Sequence, residues 1–502
     1  MSDVQFWMPL GICLISLFAG IMSFLLPEKA YRLRNRINLA SALVKLFCVS
    51  WLLLGVYEGE FYETRFQLFL EFDIVLWAGA MSLLFVSLSS VLWLVTTIYA
   101  IGYFKGTENQ GRFFGFFNLC VFATTAIAMS GNLFSFLVFY ELLTMTTYPL
   151  VVHKGTSEAL SAGRTYLMYT VAGGSVLLFA MVWLSSLAGP AEFLQRGIVA
   201  SLDSSYHHQL IAIFFLLILG FGVKAAIVPL HGWLPVAMVA PAPVSALLHA
   251  VAVVKAGAFG IMRVVYDIYG VEFCRENGLL EILAATAAIT IIYGSLRALN
   301  QDDIKKRLAY STVSQVSYIL LGVATLSITA SIGGILHLVH QGVMKITLFF
   351  CAGNFQHEKQ INKVTQMDGL GRLMPRSMTA FTIAAFGMIG VPPTAGFISK
   401  WYIGLGSIDA HQNWVLATIL LSSVLNAAYF LPPIYRAWFH EPPEEMSKLN
   451  RFTEHSAGWW LLLPPLITAC LTIAMGFFAE LPIFPLRWAS LIAFREYGQL
   501  GG

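Results

Sequence analysis

Charged side chains are scarce in this chain. Asp, Glu, Lys and Arg together make up 11% of its 502 residues, whereas 58% of the residues are hydrophobic. A water-soluble protein of this length needs far more polar surface than these residues can supply. The composition therefore excludes a soluble globular enzyme and indicates a protein embedded in lipid.

Cysteine is also scarce, and the usual cofactor-binding motifs are missing. The six cysteines are scattered without a CxxC or CxxH pairing, so a metal, cluster or disulfide framework is not expected. The sequence has no nucleotide-binding glycine loop and no polar stretch long enough to fold as a soluble catalytic domain. We therefore expect no cofactor, no metal and no nucleic-acid partner, and we expect any redox chemistry to take place on another polypeptide.

Long apolar runs, by contrast, recur from one end of the chain to the other. About fourteen are long enough to cross a hydrocarbon core of ~30 Å. They predict an all-α polytopic membrane protein with spans near 4–26, 36–56, 76–103, 112–130, 132–152, 164–187, 208–228, 241–266, 280–297, 306–326, 330–355, 376–405, 414–439 and 458–479. The first run lacks a basic n-region and a small-residue cleavage site, so we expect a retained span and not a signal peptide.

The few basic residues are distributed unevenly between the two sides of these spans. If the spans alternate in direction, one side carries Lys29, Arg32, Arg34, Arg36, Lys105, Arg112, Lys154, Arg164, Arg297, Lys305, Lys306, Arg307, Lys359, Lys363, Arg372, Arg376, Arg436, Lys448 and Arg451. The other side is nearly bare of Lys and Arg and holds acidic stretches at 58–63 and from Glu71 to Asp73. By the positive-inside rule the basic side is cytoplasmic, which predicts a cell-membrane protein with both termini on the extracytoplasmic side.

Two of the predicted spans are interrupted. The seventh runs into Pro229 and the sequence HGWLP, and the twelfth contains Pro392, Pro393 and Gly396 at mid-span. Proline removes a backbone donor, and unwound backbone at membrane depth must be buried in protein or face water. Interrupted helices in corresponding positions are typical of transporters that are built from inverted repeats around a site near the midplane.

The spacing of the two breaks predicts how the chain is organised. We expect one membrane domain with N-terminal helices 1–3 (1–103), a first five-helix repeat of helices 4–8 (112–266), an inverted second repeat of helices 9–13 (280–439), and a last helix and tail (458–502). Two unrelated proline kinks would be the alternative explanation. A lysine beside each break, Lys224 and Lys400, favours a functional role.

Glu141 and Lys224 are the first candidates for carrying charge. Glu141 lies about ten residues from either end of its apolar run, and Lys224 lies near the break of the seventh. An ionisable group inside a membrane span is expensive and is a functional-site hypothesis by default. A lysine and a glutamate that pair and separate would load and release a proton, although a neutral Glu141 bonded to a nearby threonine is the alternative.

A second set of candidates lies in the sequence HLVHQGVMK. His337, His340, Gln341 and Lys345 are spaced i, i+3, i+4 and i+8, which places all four on one side of a helix. Imidazole titrates near neutral pH and can pass a proton through either nitrogen, so this stripe predicts a hydrated proton relay. A single histidine would more simply be a satisfied core residue.

The remaining candidates extend this row. His249 and Lys255 are six residues apart, about 9 Å along a helix and on different sides of it, which suits successive stations. Lys400 is the candidate for the far end of the row. Lys45 is also mid-span, but its long stem can carry the ammonium to the interface, so either role is open.

These motifs resemble the antiporter-like subunits of respiratory complex I, the Mrp cation/proton antiporters and the membrane arms of energy-converting hydrogenases. The likeness covers nearly the whole chain and is densest in YELLTMTTYPL (140–150), VKAAIVPLHGWLPVAMVAPAPVSALLHAVAVVKAG (223–257), QDDIKKRLAYSTVSQ (301–315), HLVHQGVMK (337–345) and GVPPTAGFISK (390–400). The resemblance implies fourteen spans, two inverted five-helix repeats and a central hydrophilic axis. It also implies relay roles for Glu141, Lys224, Lys255 with His249, the stripe His337, His340 and Lys345, and Lys400 as the exit residue.

The resemblance leaves the complex itself open. Lysine at position 400 argues against a close M-type match, and the short tail leaves no room for the lateral helix of L-type members, so the chain looks most like an Mrp D or hydrogenase-type subunit. We expect a proton-translocating subunit that works with other membrane subunits and lipid and moves protons, with Na⁺ as an alternative cation. A proton channel for inorganic-carbon uptake, a subunit of an NADH-quinone oxidoreductase or energy-converting hydrogenase, a stand-alone solute transporter and a non-conducting structural subunit are the alternatives.

Overall fold

The structure, a computed structural model, describes residues 2–69, 72–194, 197–443 and 458–497. Glu71, Lys448 and Arg451, which contributed to the charge pattern, lie outside these ranges, as does the end of the predicted tail. Of the described residues, 80% are helical, which confirms the predicted all-α polytopic architecture.

The first half of the chain contains seven long helices and a broken eighth element. The helices are α1 (Asp3–Leu25), α2 (Tyr31–Tyr57), α3 (Ala80–Tyr103), α4 (Gln110–Met129), α5 (Leu133–Val151), α6 (Ser157–Ala188), α7 (His207–Ala225), the one-turn α8 (Trp233–Val236), α9 (Ala242–Ala246), α10 (Val253–Arg263) and α11 (Val271–Glu276). Two π-helical segments, Leu247–Val251 and Val264–Tyr269, flank α10, so that the backbone is helical along almost all of Ala242–Tyr269.

The described residues of the second half form helices that are joined by loops. Its helices are α12 (Leu279–Leu299), α13 (Ile304–Ala324), α14 (Ile328–Lys359), α15 (Leu370–Leu373), α16 (Pro375–Ile389), α17 (Ala395–Asp409), α18 (Asn413–Phe439), α19 (Trp459–Phe477) and α20 (Pro485–Tyr497). The final helix, α20, was not predicted from the sequence.

Twelve helical segments in the described part of the chain are long and apolar enough to cross a membrane. The two other predicted spans correspond to α13, whose first turns carry Lys305, Lys306 and Arg307, and to the pair α16 and α17, which are 15 residues each. Both interruptions expected from proline occur, after Ala225 and after Ile389. The division of the helices into two inverted repeats stays a prediction.

The centre of the bundle is formed by two elements. The most apolar stretches of Ala242–Tyr269 and of α14 are 100% buried, whereas only 39% of the corresponding stretch of α1 is buried. Apolar residues on every side of a helix indicate burial within a larger bundle. The polar and charged residues within these two stretches therefore lie inside the protein, whereas the end of α14 from Gln356 to Lys359 is partly exposed.

A short β-hairpin corrects the predicted start of the third span. Residues Glu63–Phe69 (β1) and Phe72–Trp77 (β2) pair antiparallel, and α3 begins only at Ala80, not at 76. The sequence FDIVLW is apolar enough to merge with the helix that follows, but its aromatic and β-branched residues favour a strand. The backbone amide of Gly131 donates to the carbonyl of Val75 at 2.9 Å and ties the hairpin to the end of α4.

Candidate functional site

Glu141 and Lys224 face each other from α5 and α7. They are close enough to interact electrostatically, but no ion pair within 4 Å joins them among the described residues. The Nζ atom of Lys224 instead donates to the backbone carbonyl of Tyr140 and lies 3.3 Å from the centre of the Tyr140 ring. The two predicted partners therefore lie within electrostatic range of each other without forming a direct ion pair.

A glycine on α6 makes room for the carboxylate. A Cβ atom at Gly174 would overlap Glu141 Oε1, so that only glycine fits here without displacing the carboxylate. Glu141 Oε1 is buried and has no hydrogen-bond partner in the described part of the protein. The carboxylate thus occupies a polar niche in which water is the natural partner.

Lys255 connects the first half of the chain to α14. Its Nζ atom donates to the backbone carbonyl of Leu338 at 2.7 Å, and its side chain is fully buried. Two residues further along α10, Gly257 packs so closely on the end of α7 that a Cβ atom would overlap the Ala225 backbone nitrogen. This contact fixes α10 between the Lys224 region and the stripe on α14.

His249 lies in the first π-helical segment. Both of its ring nitrogens are buried without a hydrogen-bond partner among the described residues, and its ring lies 4.6 Å from that of Phe349. It interacts electrostatically with Lys345, whereas Lys255 is close to His337. Lys255 is also within electrostatic range of His340 and Lys345, so that both residues approach the stripe on α14. π-Helical segments are frequent at functional sites.

The predicted stripe on α14 is fully inside the bundle. His337 Nδ1 shares a hydrogen bond of 2.8 Å with Ser399 Oγ of α17. Eight residues further, Lys345 Nζ donates to Ser311 Oγ at 2.7 Å and to the Leu308 carbonyl at 3.1 Å, both on α13. His337 is also close enough to interact electrostatically with His340, Lys255 and Lys400.

The ammonium group of Lys400, on α17, is bound at the break of the predicted twelfth span, where α16 ends. The end of α16 leaves backbone carbonyls without helical partners. Lys400 Nζ donates to two of them, Met388 at 2.8 Å and Ile389 at 3.0 Å, and to Ser423 Oγ at 3.4 Å. The negative end of a helix dipole stabilises an ammonium in this position, so the break supplies the site that holds the lysine.

Unpaired polar atoms run along the same row. Buried side-chain atoms without a hydrogen-bond partner in the described ranges belong to Glu141, His249, Gln315, Tyr318, His337, His340 and Gln341. Buried polar groups in native proteins are satisfied by protein or by water. The row therefore has the polarity that a chain of water molecules requires.

Lys45 lies away from this row. It is fully buried between α1, α2 and α4, where its Nζ atom donates to Thr125 Oγ1 and, at 3.4 Å, to Ser16 Oγ. It also lies 5.0 Å from the centre of the Trp93 ring. The ammonium group of Lys45 therefore does not reach the interface along its stem. Its hydrogen-bond partners are hydroxyl groups of Ser16 and Thr125, and none of them is a residue of the relay.

The structure adds residues that no sequence pattern singled out. Ser311 and Ser399 bind Lys345 and His337, and the centre of the Tyr318 ring lies 5.0 Å from Lys400 Nζ. Small hydroxyl residues in an apolar run are too common to have identified them. Among the described residues, no group of three or more His, Cys, Asp or Glu side chains is placed to hold a metal ion.

Comparison with known proteins gives a consistent result. Residues 130–426 match the family described as NADH:quinone oxidoreductase/Mrp antiporter, TM. The chain is 32% identical over 402 residues to the N subunit of the NADH-quinone oxidoreductase of Desulforudis audaxviator, covering 77% of this chain and 78% of that protein. It is 28% identical over 419 residues to the D subunit of the Na(+)/H(+) antiporter of Alkalihalophilus pseudofirmus, covering 82% of each. A third relative, the A1 subunit of the Na(+)/H(+) antiporter of Staphylococcus haemolyticus, is 31% identical to this chain. The match covers 82% of this chain but only 53% of that longer protein.

Solved structures agree with the fold. A chain in the structure of the Mrp complex from Dietzia sp. matches with a TM-score of 0.86 at 22% identity, covering 99% of this chain and 98% of that one. A chain of the membrane-bound sulfane sulfur reductase, an archaeal respiratory membrane complex, matches with a TM-score of 0.82 at 23% identity, covering 98% and 96%. At these identities the likeness establishes the fold alone.

Proposed function

The chain belongs to the NADH:quinone oxidoreductase/Mrp antiporter transmembrane family, and on that basis we propose that it translocates protons as one subunit of a multisubunit membrane complex. The observation that carries the proposal is a row of ionisable side chains, which extends from the half-buried Glu141 through buried lysines and histidines in the middle of the bundle to Lys400. Isolated charges inside a membrane are expensive, and rows of them mark ion pathways.

The contacts support an order of transfer. Glu141 and Lys224 lie at one end, Lys255 contacts the backbone of α14, the stripe from His337 to Lys345 follows, and Lys400 is close to His337. Each lysine is bound by carbonyl or hydroxyl oxygens in place of a carboxylate, as the hydrogen bonds above show. A lysine that lacks a permanent counter-charge can gain and lose a proton as its neighbours change.

The chain requires a source of energy outside itself. The related proteins are named as subunits of oxidoreductases and antiporters, and the matching structures are of multisubunit membrane complexes. We infer that neighbouring membrane subunits supply the driving force, either redox energy or the counter-flow of a second cation such as Na⁺. The basic loops would face the cytoplasm, with both termini on the other side.

Proton flux through vesicles that hold the intact complex tests the proposal. Lys224→Ala removes the ammonium at the start of the row, and we expect flux to fall by about tenfold or more while the complex still assembles. Lys45→Met is the matched control, because it removes an equally buried lysine that lies outside the row. Equal flux in Lys224→Ala and wild type would mean that the ion crosses in a partner subunit.

A further inference from the structure

A cluster of four charged side chains lies at the end of the bundle opposite the basic loops. Arg263 donates to Asp267 Oδ2 at 2.6 Å and to Ser82 Oγ at 2.7 Å. Arg495 Nε donates to Glu496 Oε1 at 2.7 Å, and Arg495 Nη2 lies 3.7 Å from Asp267 Oδ1. We call Arg263, Asp267, Arg495 and Glu496 the charge quartet. It joins the second π-helical segment to the last helix, α20.

A cavity of about 500 Å³ opens beside this quartet. Its lining includes four acidic residues, Asp203, Glu272, Glu276 and Glu496, and no lysine or arginine, although just outside the lining Arg275 lies 3.3 Å from Glu272 and Arg495 binds Glu496. The other titratable residues of the lining are His207, Tyr269 and Tyr497. A concave surface lined by charges of one sign raises the local concentration of ions of the other sign. The cavity is therefore suited to collect cations, including protons, from the aqueous side.

Glu496 forms the inner boundary of the cavity and is not fully paired. Its residue is 4% exposed, and Oε1 is bound by Arg495, but Oε2 is buried without a hydrogen-bond partner among the described residues. Burial, and then the neighbouring Asp267, raise the pKa of Glu496 above its ordinary value, against the opposing effect of Arg495 and Arg263. A carboxylate oxygen in this position requires a proton, a cation or water as its partner.

A chain of hydroxyl groups leads from the quartet toward the relay. Tyr266 donates to Ser331 Oγ at 3.0 Å, and Ser331 donates to the Tyr497 hydroxyl, also at 3.0 Å. The Tyr266 hydroxyl is within electrostatic range of Glu496. Ser331 precedes His337 by six residues on α14, which is about 9 Å along the helix axis. The same six residues turn about 120° around the helix, so the two side chains lie on different sides of α14 and water molecules would have to complete the connection.

We propose that Glu496 exchanges protons between the relay and this cavity, so that it forms the aqueous opening of the path on the face opposite the basic loops. In each transfer, Oε2 of the carboxylate accepts a proton from a water molecule on the Tyr266 side, and that water takes a replacement proton from the relay. The protonated carboxyl group then donates its proton to water in the cavity, which leaves as hydronium and restores the carboxylate. This assignment rests on the proposed function and adds an opening separate from Lys400.

The test uses vesicles that hold the intact complex, with proton flux measured as a function of pH on this face. Glu496→Gln keeps the shape of the side chain but cannot exchange a proton, so we expect flux to fall by about tenfold or more and to lose its dependence on pH. Glu496→Asp keeps a carboxylate, and we expect it to retain part of the flux and of the pH dependence. Glu480→Gln is the matched control, because Glu480 is exposed on the same face and does not line the cavity. Wild-type flux and an unchanged pH profile in Glu496→Gln would overturn the proposal.

A second variant covers the case in which Glu496→Gln fails to assemble. The double variant Glu272→Gln, Glu276→Gln leaves the quartet intact and removes two exposed charges of the cavity. We expect it to lower flux a few-fold at low ionic strength and to match wild type in high salt, since salt screens such charges. Flux equal to wild type at low ionic strength would overturn the proposal.

The Lys224→Ala variant separates failure of this inference from failure of the proposed function. If flux is lost in Lys224→Ala but not in the cavity variants, only this inference is refuted. If Lys224→Ala and the cavity variants all show wild-type flux, the proposed function is refuted as well.

Discussion

At the scale of single residues, the sequence identified the ionisable groups but not their partners. Glu141, Lys224 and Lys255 stand out because charges inside apolar runs are rare. That Lys224 binds the Tyr140 carbonyl in place of the Glu141 carboxylate depends on packing, which the sequence does not show. The quartet was missed because Glu496 lies more than two hundred residues from Arg263 along the chain.

Gly174 provides a sharp prediction at this scale. Gly174→Ala would place a methyl group where Glu141 Oε1 now lies and so displace the carboxylate. Small displacements of a reacting group are costly in rate, so we expect proton flux to fall by about tenfold while assembly is retained. Gly11→Ala is the matched control, because a Cβ atom there meets nothing within 4 Å. Wild-type flux in Gly174→Ala would show that the position of Glu141 is not critical.

At the scale of elements, the apolar runs and prolines predicted most of the helices and both breaks. Alternation and run length could not separate β2 from α3, because Phe72–Trp77 is as apolar as the helix behind it. The π-helical segment that contains His249 was also beyond prediction, since its residues are ordinary helix formers and its geometry follows from packing. The sequence therefore predicted where the helices lie better than it predicted their irregular parts, which hold much of the site.

The break between α16 and α17 depends on Gly390. This residue has φ of +97°, and a Cβ atom would lie 3.0 Å from the Cδ atom of Lys400. Gly390→Ala should destabilise the protein by about 1–2 kcal/mol, because a side chain disfavours this backbone conformation. Thermal unfolding of the purified complex measures the change.

The control for that experiment lies in the neighbouring helix. Gly404→Ala meets only Leu416 Cδ1 at 3.4 Å, which is ordinary contact. We therefore expect its unfolding temperature to stay near that of wild type. Equal unfolding temperatures for Gly390→Ala and Gly404→Ala would mean that the break does not need glycine.

At the scale of the whole molecule, charge is segregated between the two ends of the bundle. If the helices alternate in direction, the basic loops lie at one end and the acidic cavity and the hairpin lie at the other, where Arg65, Arg275 and Arg495 are paired with carboxylates. Two elements with fully buried central stretches, Ala242–Tyr269 and α14, connect these ends. The positive-inside rule needs only loop charges and the number of spans, so the sequence alone predicts which end faces the cytoplasm. That orientation stays a prediction.

Labelling from each side of the membrane tests the orientation. In a Cys470→Ser background, which removes the exposed native cysteine, Lys154→Cys should react with a membrane-impermeant thiol reagent only from the cytoplasm. Asp203→Cys should react only from outside, because it lies in the acidic cavity. The reverse pattern would invert the predicted topology.

The most direct test of the account is proton flux through the intact complex with Lys255→Met. Lys255 is the central station, where the first half of the chain contacts α14 through the Leu338 carbonyl. Methionine keeps the length of the side chain and removes its charge. The account predicts that the complex assembles and that flux falls to the background of protein-free vesicles. Flux at the wild-type rate in an assembled Lys255→Met complex would contradict a continuous path through this row.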